Sequence, residues 1–466
     1  MTRDQRLVLT IAILASFVSF LDGTVVNVAL KAIKNDLGGG LATQQWAVDG
    51  YLITLGALIL VAGSVSDAYG RILVLRIGLI GFGIASLAVG AAVSPEMLIA
   101  ARLAQGVAGA LLVPSSLALI TSNFSGAAQA RAIGIWTGAT TGAMIAGPLL
   151  GGVFVDFLTW RLVFFINVIP IAVTLVLLHV LGHRDERTAD ARIHWLDAAL
   201  CTIGLGAAVF ALIEEPNLGW GNPRIWIPLV GGVGLFVAFV VRQHYVKSPM
   251  LPLSLFTVRN FWTGNIATLF IYGSLSLNGF VMSVYLQQGA GLPATIAGAS
   301  MLPATVIMIL LSSRVGALSG KWGPRLFMTV GPLVMAGGTL LLLLVRPKPD
   351  FDYWWQVLPA ILVFGFGITL TVSPLTSAIL GAIEPERSGV ASAVNNAVSR
   401  IGGLIVIAVI ALIAGGELNL HGFQRSMVVG AVLMVLGAIV SFLGIRRPPH
   451  ATGDAEGADA STGASR

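Results

Sequence analysis

The stretch LVLTIAILASFVSFLDGTVVNVAL, residues 7–30, carries a single charged side chain, Asp22. A helix needs about 20 predominantly apolar residues to cross a bilayer, so this stretch predicts a membrane-spanning helix. Lipid offers free backbone groups no partner, and the sequence lacks the alternating segments of a membrane β-barrel. No small-residue cleavage site follows a short apolar core, so we interpret the stretch as a retained span and not a signal peptide.

The composition of the whole chain of 466 residues agrees with this interpretation. Hydrophobic residues make up 56%, charged residues 10%, and the mean hydropathy is +0.89. A soluble domain carries about 25% charged residues, so the outer surface must face lipid. The net charge of +6 does not indicate a nucleic-acid partner, because Lys and Arg recur between apolar runs and form no single basic patch.

Working outward from residues 7–30, we find further apolar segments of similar length. The sequence therefore predicts an all-α polytopic membrane protein with fourteen spans. Their predicted positions are 7–30, 46–64, 74–93, 98–120, 133–155, 163–182, 197–214, 226–242, 263–286, 297–315, 327–345, 356–380, 389–412 and 427–445.

The order of spans and charged segments predicts the domain organisation. Most Lys and Arg residues of the short loops fall on the side of the N-terminus, so both termini are expected in the cytoplasm. The spans group as six, two and six. We predict an N-terminal six-helix bundle (1–182), a linker with two extra spans (183–258), a C-terminal six-helix bundle (259–445) and a disordered cytoplasmic tail (446–466).

Two loops form an internal repeat. GSVSDAYGRILVL begins at Gly63 and GALSGKWGPRLFM begins at Gly316, each after the second span of a six-span unit. Such repeats are typical of transporters whose binding site lies near the midplane between the halves. In the first copy Gly70, like Gly63, permits a tight turn. Asp67 and Arg71 can pair there as a latch that holds one conformation.

Asp22 is the strongest functional signal. It lies about 22 Å from the start of its span at ~1.5 Å per residue, where an ionised carboxylate costs at least about 2.5–3.5 kcal/mol. Because burial favours the neutral form of a carboxyl group, we expect Asp22 to exchange a proton or to face a cationic substrate. A structural contact with a neighbouring helix is the alternative. Asn27 shares the same helix face.

Other polar residues lie within predicted spans. Asp49 is expected at the outer end of the second span. Arg102, inside the fourth span, needs a partner or a cavity; Asp22 is a candidate partner, and Gln105 follows almost one turn later. The thirteenth span, SGVASAVNNAVSRIGG, adds the candidate cavity residues Asn395, Asn396 and Arg400, although polar residues also hold membrane helices together.

The fifth span contains WTGATTGAMIAGPLLGG, residues 136–152. Its glycines predict close helix packing and its proline bends the helix. The segment can form a hinge or seal between the halves, or serve packing alone. The candidate residues are Gly138, Gly142, Gly147, Pro148, Gly151 and Gly152.

The sequence predicts neither a metal site nor a nucleotide-driven motor. His179 and His183 have i,i+4 spacing but lack the glutamate of an HExxH motif. The single cysteine, Cys201, has no partner for an intrachain disulfide. A GxxxxGK[ST] loop is absent. We therefore expect no cofactor, and transport driven by a proton gradient.

Together these motifs resemble the major facilitator superfamily, and within it the fourteen-span drug:proton antiporters of the EmrB/QacA type, over roughly residues 7–445. The resemblance rests on LDGTVVNVAL (21–30), GSVSDAYGR (63–71), ARLAQGVAGA (101–110) and GAMIAGPLLGG (142–152). In the first loop, Ile72 stands where the family has a second basic residue. In the second loop, Gly320 stands in the place of Asp67.

The resemblance implies the major facilitator fold, in which two six-helix bundles rock to give alternating access, here with a two-helix central insertion at about 197–242. It implies a non-enzymatic exporter of drugs or other small organic molecules, often cationic or amphiphilic, in the bacterial cytoplasmic membrane. Asp22 would exchange protons for substrate. The alternatives are a dedicated exporter of one endogenous metabolite or self-made antibiotic and, more remotely, a membrane-embedded enzyme or lipid flippase. A partner in the outer envelope stays open.

Overall fold

The computed structural model describes residues 1–182, 194–247, 249–384 and 387–446, and the regular secondary structure of these ranges is helical. The α-helices, numbered in chain order, are α1 Arg3–Leu37, α2 Gly40–Tyr69, α3 Arg71–Gly90, α4 Pro95–Asn123, α5 Gly126–Phe157, α6 Leu162–Phe165, α7 Val168–Leu181, α8 Trp195–Leu218, α9 Pro223–Tyr245, α10 Arg259–Gln288, α11 Ala294–Ala299, α12 Leu302–Trp322, α13 Pro324–Leu341, α14 Leu358–Leu380, α15 Ser388–Ala408, α16 Ile410–Ala414 and α17 Leu420–Gly444. Short 3₁₀ helices cover Leu253–Thr257 and Leu342–Leu344, and a π-helical turn covers Tyr353–Val357. The predicted charged linker at 183–193 and the predicted tail beyond 446 lie outside the described residues.

The helices confirm an all-α polytopic membrane protein. By length and composition, 13 helical segments of the described ranges can cross a membrane. The predicted second span, 46–64, falls within α2, a further helix of 30 residues. Three predicted spans are each divided between two helices: α6 and α7, α11 and α12, and α15 and α16. Pro303 stands in the first turn of α12, where its missing N–H group would have had no intrahelical acceptor.

The helices form two groups, and the helices of each group pack against one another. In the first half, comprising α1–α7, α1 packs against α4 and α5, and α4 packs against α2 and α3. In the second half, comprising α10–α17, α10 packs against α15 and α17, and α14 packs against α12 and α13. The inserted helices α8 and α9 pack mainly against each other, and α8 also contacts α2 and α15.

The repeated loops adopt the same turn in both halves. Gly70 alone joins α2 to α3 with φ 103°, and Gly323 alone joins α12 to α13 with φ 85°. This φ region favours glycine because an L side chain would clash with the backbone. The internal repeat found in the sequence therefore has a structural counterpart.

Hydrogen bonds join the two halves at one end of the bundle. We call this end, where α1 stops and α2 begins, the distal end. From α10, Ser283 Oγ donates to Asn27 O at 2.8 Å and Gln287 Nε2 donates to Val28 O at 3.1 Å. Gln45 Nε2 of α2 donates to the carbonyl oxygens of Ile407 and Ala408, at 2.7 and 3.0 Å. Asp156 of α5 accepts from the backbone N–H groups of Ala294 and Thr295, at 2.8 and 2.7 Å.

The inserted pair α8–α9 covers part of the seam between the halves. Cys201, Leu205 and Val209 of α8 belong to an apolar cluster that also contains Ile53 of α2 and Leu404 of α15. At the start of α8, the buried Asp197 accepts a hydrogen bond from Arg242 Nε of α9 at 2.5 Å, an ion pair that the sequence analysis missed. Trp46 Nε1 of α2 donates to Glu214 Oε1 of α8 at 3.0 Å.

Candidate functional site

A buried ionic network lies between α1 and α4. Arg102 Nη1 donates to Asp22 Oδ2 at 2.6 Å and to Gln105 Oε1 at 2.7 Å. Gln105 Nε2 in turn donates to Asp22 Oδ1 at 2.9 Å. All three side chains are 0% exposed. The structure thus pairs Arg102 with Asp22, its candidate partner from the sequence, and adds Gln105 to the same network.

Two further side chains and one carbonyl group extend this network to other helices. Asn167, between α6 and α7, donates from Nδ2 to Asp22 Oδ1 at 3.1 Å. Ser86 Oγ of α3 accepts from Gln105 Nε2 at 2.9 Å, and Arg102 Nε donates to Ala47 O of α2 at 2.6 Å. Ser86 and Asn167 were not predicted from the sequence, since one Ser or Asn in an apolar run gives a weak signal.

Close approach of α2 and α4 seats the arginine. A Cβ on Gly50 would lie 3.2 Å from Arg102 Cβ, and a Cβ on Gly106 would overlap Thr54 Oγ1 and Tyr51 O. The Arg102 guanidinium carbon lies 4.6 Å from the centroid of the Tyr51 ring, a cation–π distance. The Tyr51 hydroxyl group lies 2.8 Å from Ser19 Oγ of α1.

The chemistry of the network follows from its charges. Each buried ion compensates the other, and removing one charge from such a pair leaves the other uncompensated in a low dielectric. Protonation of Asp22 would therefore weaken its hold on Arg102 and, through Arg102, on α2. Because Asp22 has no exposed surface, in this conformation it contacts Arg102, Gln105 and Asn167, and no substrate can reach it directly.

Asp49, which was expected at the outer end of the second span, is buried within the helix bundle. The residue is 0% exposed, and neither carboxyl oxygen has a hydrogen-bond partner in the described part of the chain. The reason is that α2 begins at Gly40, earlier than the predicted span, so Asp49 lies inside the bundle. Asn27 is partly exposed, and its backbone oxygen takes part in the distal contact between α1 and α10.

Three glycines of the fifth-span motif make close helix contacts. A Cβ on Gly147 would overlap Thr24 Oγ1 and lie 3.2 Å from Val25 N of α1, and one on Gly151 would crowd the Val25 side chain. A Cβ on Gly152 would overlap the backbone of Thr295 in α11, across the two halves. This part of α5 therefore packs closely against α1 and, at Gly152, against α11 of the second half.

The other two glycines of the motif do not pack closely. A Cβ on Gly138 or Gly142 would meet no atom within 4 Å, so the expected close packing is absent there. Both precede the segment of α5 that contacts the second half, where the Pro148 carbonyl group lies against Gly298. Glycine spacing alone does not show which turns of a helix meet a neighbour.

The loop motif is described in part. Gly70 forms the turn, whereas a Cβ on Gly63 would meet no atom within 4 Å. The side chain of Asp67 lies outside the described residues, so its pairing with Arg71 stays a prediction.

The candidate residues of α15 have different surroundings. Asn395 Nδ2 donates to Thr268 Oγ1 at 2.8 Å and to Asn265 Oδ1 at 3.2 Å, and so fastens α15 to α10. Asn396 Oδ1 accepts from Arg400 Nε at 3.1 Å. Arg400 is partly exposed and faces α2, where a Cβ on Gly56 would lie 3.5 Å from Arg400 Cβ.

A polar cavity of about 540 Å³ lies at the distal end between the halves and α8. Four buried polar atoms of its lining residues have no hydrogen-bond partner among the described residues: Gln44 Nε2, Gln45 Oε1, Tyr285 Oη and Gln288 Nε2. A cavity of this size and polarity can hold water or a polar ligand. The cavity could not be predicted from the sequence, because its lining comes from segments that are distant in the chain. Among the described residues, no group of three or more His, Cys, Asp or Glu side chains could hold a metal ion.

Comparison with known proteins decides the family. The model of the Major Facilitator Superfamily matches residues 12–407. The chain belongs to the Major Facilitator Superfamily. It is therefore a membrane-embedded transporter of small molecules and not an enzyme, and this superfamily is the one that the sequence motifs resemble.

Curated relatives cover most of this superfamily member. The methylenomycin A resistance protein of Bacillus subtilis (strain 168) is 32% identical over 407 residues, 87% of this chain and 87% of that protein. The cephamycin export protein of Amycolatopsis lactamdurans is 32% identical over 420 residues, 89% and 86% of the two chains. The multidrug resistance protein Stp of Mycobacterium tuberculosis (strain ATCC 25618 / H37Rv) is 32% identical over 431 residues, 90% and 78%.

Solved structures show the same fold at low sequence identity. The peptide transporter POT in complex with sulfate superposes with a TM-score of 0.70 at 15% identity, covering 94% of each chain. A bacterial homolog of the human lysosomal transporter Spinster, in an inward-facing and unoccupied conformation, gives 0.67 at 18% identity, covering 95% of this chain and 97% of that one. These likenesses support the major facilitator fold alone.

Proposed function

We propose that this protein is a proton-coupled antiporter that exports drugs or other small organic molecules across the bacterial cytoplasmic membrane by alternating access. The observation that carries the proposal is the buried pair of Asp22 and Arg102, which ties a titratable carboxyl group to the packing of α1, α2 and α4. Relatives that confer antibiotic resistance or export an antibiotic support the export of such compounds. The inserted pair α8–α9 supports membership of the fourteen-span drug:proton antiporters.

The distribution of Lys and Arg supports cytoplasmic termini. With that orientation the distal end faces outside. The hydrogen bonds of Gln45, Asp156 and Gln287 between the halves then hold the transporter closed to the outside. Opening outward would require these contacts to separate, whereas the Asp22 network lies wholly within the first half.

The proposed cycle couples protonation of Asp22 to this seam. Once the transporter is open to the outside, a proton neutralises Asp22 and weakens its bond to Arg102, which also holds Ala47 O of α2. The same helix carries Gln45, whose side chain bonds to α15, so a shift of α2 reaches the second half. Each charge that crosses 100 mV supplies about 2.3 kcal/mol, and a tenfold concentration gradient costs about 1.4 kcal/mol.

Ethidium uptake into inverted membrane vesicles tests the proposal. Vesicles that contain the protein should accumulate ethidium when a proton gradient is imposed and should lose that accumulation when an uncoupler is added. Vesicles without the protein give the baseline. Accumulation that persists after the uncoupler collapses the gradient would contradict proton coupling.

A narrower function is the second candidate: a dedicated exporter of one endogenous metabolite or self-made antibiotic. It is favoured by relatives named for one compound each, such as methylenomycin A or cephamycin. Expression in a pump-deficient host against a broad drug panel separates the two. Resistance to chemically unrelated compounds supports the broad exporter, and resistance confined to one compound class supports the narrow one.

A further inference from the structure

Arg400 presents unused hydrogen-bond donors at the seam between the halves. An arginine side chain has five N–H donors. Nε of Arg400 donates to Asn396 Oδ1 on the same helix, and neither Nη group has a hydrogen-bond partner among the described residues. The residue is partly exposed, in contrast to the sealed Arg102. Its two Nη groups therefore remain available to a ligand.

Arg400 also lacks an acidic partner. Ion pairs hold Arg102, Arg161 and Arg242, whereas no carboxylate of the described chain lies within ion-pair distance of Arg400. An arginine inside a membrane protein normally has a partner or faces a water-filled cavity.

The acidic groups that could attract a cation in this region are not accessible. Asp22 and Asp49 are both 0% exposed, and the charge of Asp22 is compensated by Arg102. Arg400 therefore places a partly exposed positive charge on the seam between α15 and α2. Opposite its Cβ stands Gly56, which has no side chain to cover it.

We infer that Arg400 anchors an anionic group of the exported molecule, and that the substrates recognised there are amphiphilic organic carboxylates. The inference rests on the proposed export function and departs from the expectation of cationic substrates. The fork of Nη1 and Nη2 matches the two oxygens of a carboxylate. In a low dielectric this attraction is stronger than in water. The amide group of Asn396 holds Nε and leaves the fork free.

Two dyes with one ring system test the inference. Fluorescein carries a free carboxylate, and rhodamine 6G carries the corresponding ester and a positive charge on the same xanthene core. Binding of each dye to the full-length protein in lipid nanodiscs is measured by fluorescence anisotropy. The wild type should bind fluorescein, and Arg400→Gln should raise its Kd at least about tenfold, because charge-assisted hydrogen bonds are lost. The Kd of rhodamine 6G should stay within about twofold.

Two variants serve as controls. Arg400→Lys keeps the charge but loses the fork, so its Kd for fluorescein should lie between those of the wild type and Arg400→Gln. Arg325→Gln removes a positive charge from an exposed side chain at the start of α13, which bonds to Phe442 O, and should leave both dyes unaffected. If Arg400→Gln does not fold, the Lys variant decides: an unchanged Kd for fluorescein overturns the inference.

The inference is also overturned if the wild type fails to bind fluorescein, or if Arg400→Gln weakens both dyes equally. A different result would contradict the proposed function. Fluorescein binding that depends on Arg400, without gradient-driven ethidium or fluorescein uptake in vesicles, would contradict the antiporter and leave the anion site intact. Gradient-driven ethidium uptake without fluorescein binding would contradict the anion site and support the antiporter.

Discussion

Breaking the pair of Asp22 and Arg102 from one side should destabilise the protein far more than removing both charges. The perturbation is a double-mutant cycle with Asp22→Leu, Arg102→Met and the combined variant. In Asp22→Leu, the Arg102 charge stays buried, and the donors of Gln105 and Asn167 lose Asp22 Oδ1. Loss of one partner from a buried pair costs about 3–5 kcal/mol.

The combined variant removes both charges from the interior. Ser86 Oγ still accepts from Gln105 Nε2 at 2.9 Å and lies 3.4 Å from Asn167 Nδ2, so these donors keep an acceptor. Replacing a buried ion pair by apolar side chains is often neutral. We expect the combined variant to recover at least about 2 kcal/mol of the free energy of unfolding that Asp22→Leu loses.

Unfolding of the purified protein by SDS in mixed micelles, followed through the fluorescence of its 10 Trp residues, gives the free energies. Vesicle uptake is measured on the same variants. The combined variant should be stable yet unable to couple uptake to protons, because the titratable group is absent. A combined variant as unstable as Asp22→Leu would refute the compensation argument, and one with full proton-driven uptake would assign Asp22 a structural role alone.

Two further predictions concern the seams. Gly152→Ala places a Cβ into the backbone of Thr295 and should weaken closure of the distal end by about 1–3 kcal/mol, which would appear as a longer spin-label distance between α5 and α11. The control Gly138→Ala meets open space and should leave that distance unchanged. Equal effects of the two variants would contradict a seal at Gly152. Asp197→Ala should cost about 1.5–3 kcal/mol of unfolding free energy, because it removes a hydrogen bond to the charged Arg242. Adding Arg242→Ala should cost little more, and additive losses would show that the two residues act independently.

Features with a large energetic signature could be predicted from the sequence. Apolar runs long enough to cross lipid gave the helices, and an Asp and an Arg at membrane depth gave two members of the buried network, since such residues are costly unless they serve a purpose. The repeated turn at Gly70 and Gly323 was also visible, because a tight turn with positive φ favours glycine.

Features that depend on which helix faces meet could not be predicted. Gly138 and Gly152 share one motif, yet one meets open space and the other meets α11. Asp49 was expected at the outer end of its span, yet α2 starts earlier than its apolar run and the residue is buried within the bundle. The ion pair of Asp197 joins the start of α8 to the end of α9, and a single sequence does not show which ends of two helices meet.

The central claim, that Asp22 couples substrate movement to protons, is tested most directly by comparing two modes of ethidium movement in vesicles that contain Asp22→Asn. One mode is accumulation driven by a proton gradient, and the other is exchange of labelled for unlabelled ethidium without a gradient. We expect the variant to lose accumulation and to retain exchange, because asparagine preserves the shape of the network but cannot carry the proton. Accumulation at the wild-type level, or loss of both modes together, would contradict it.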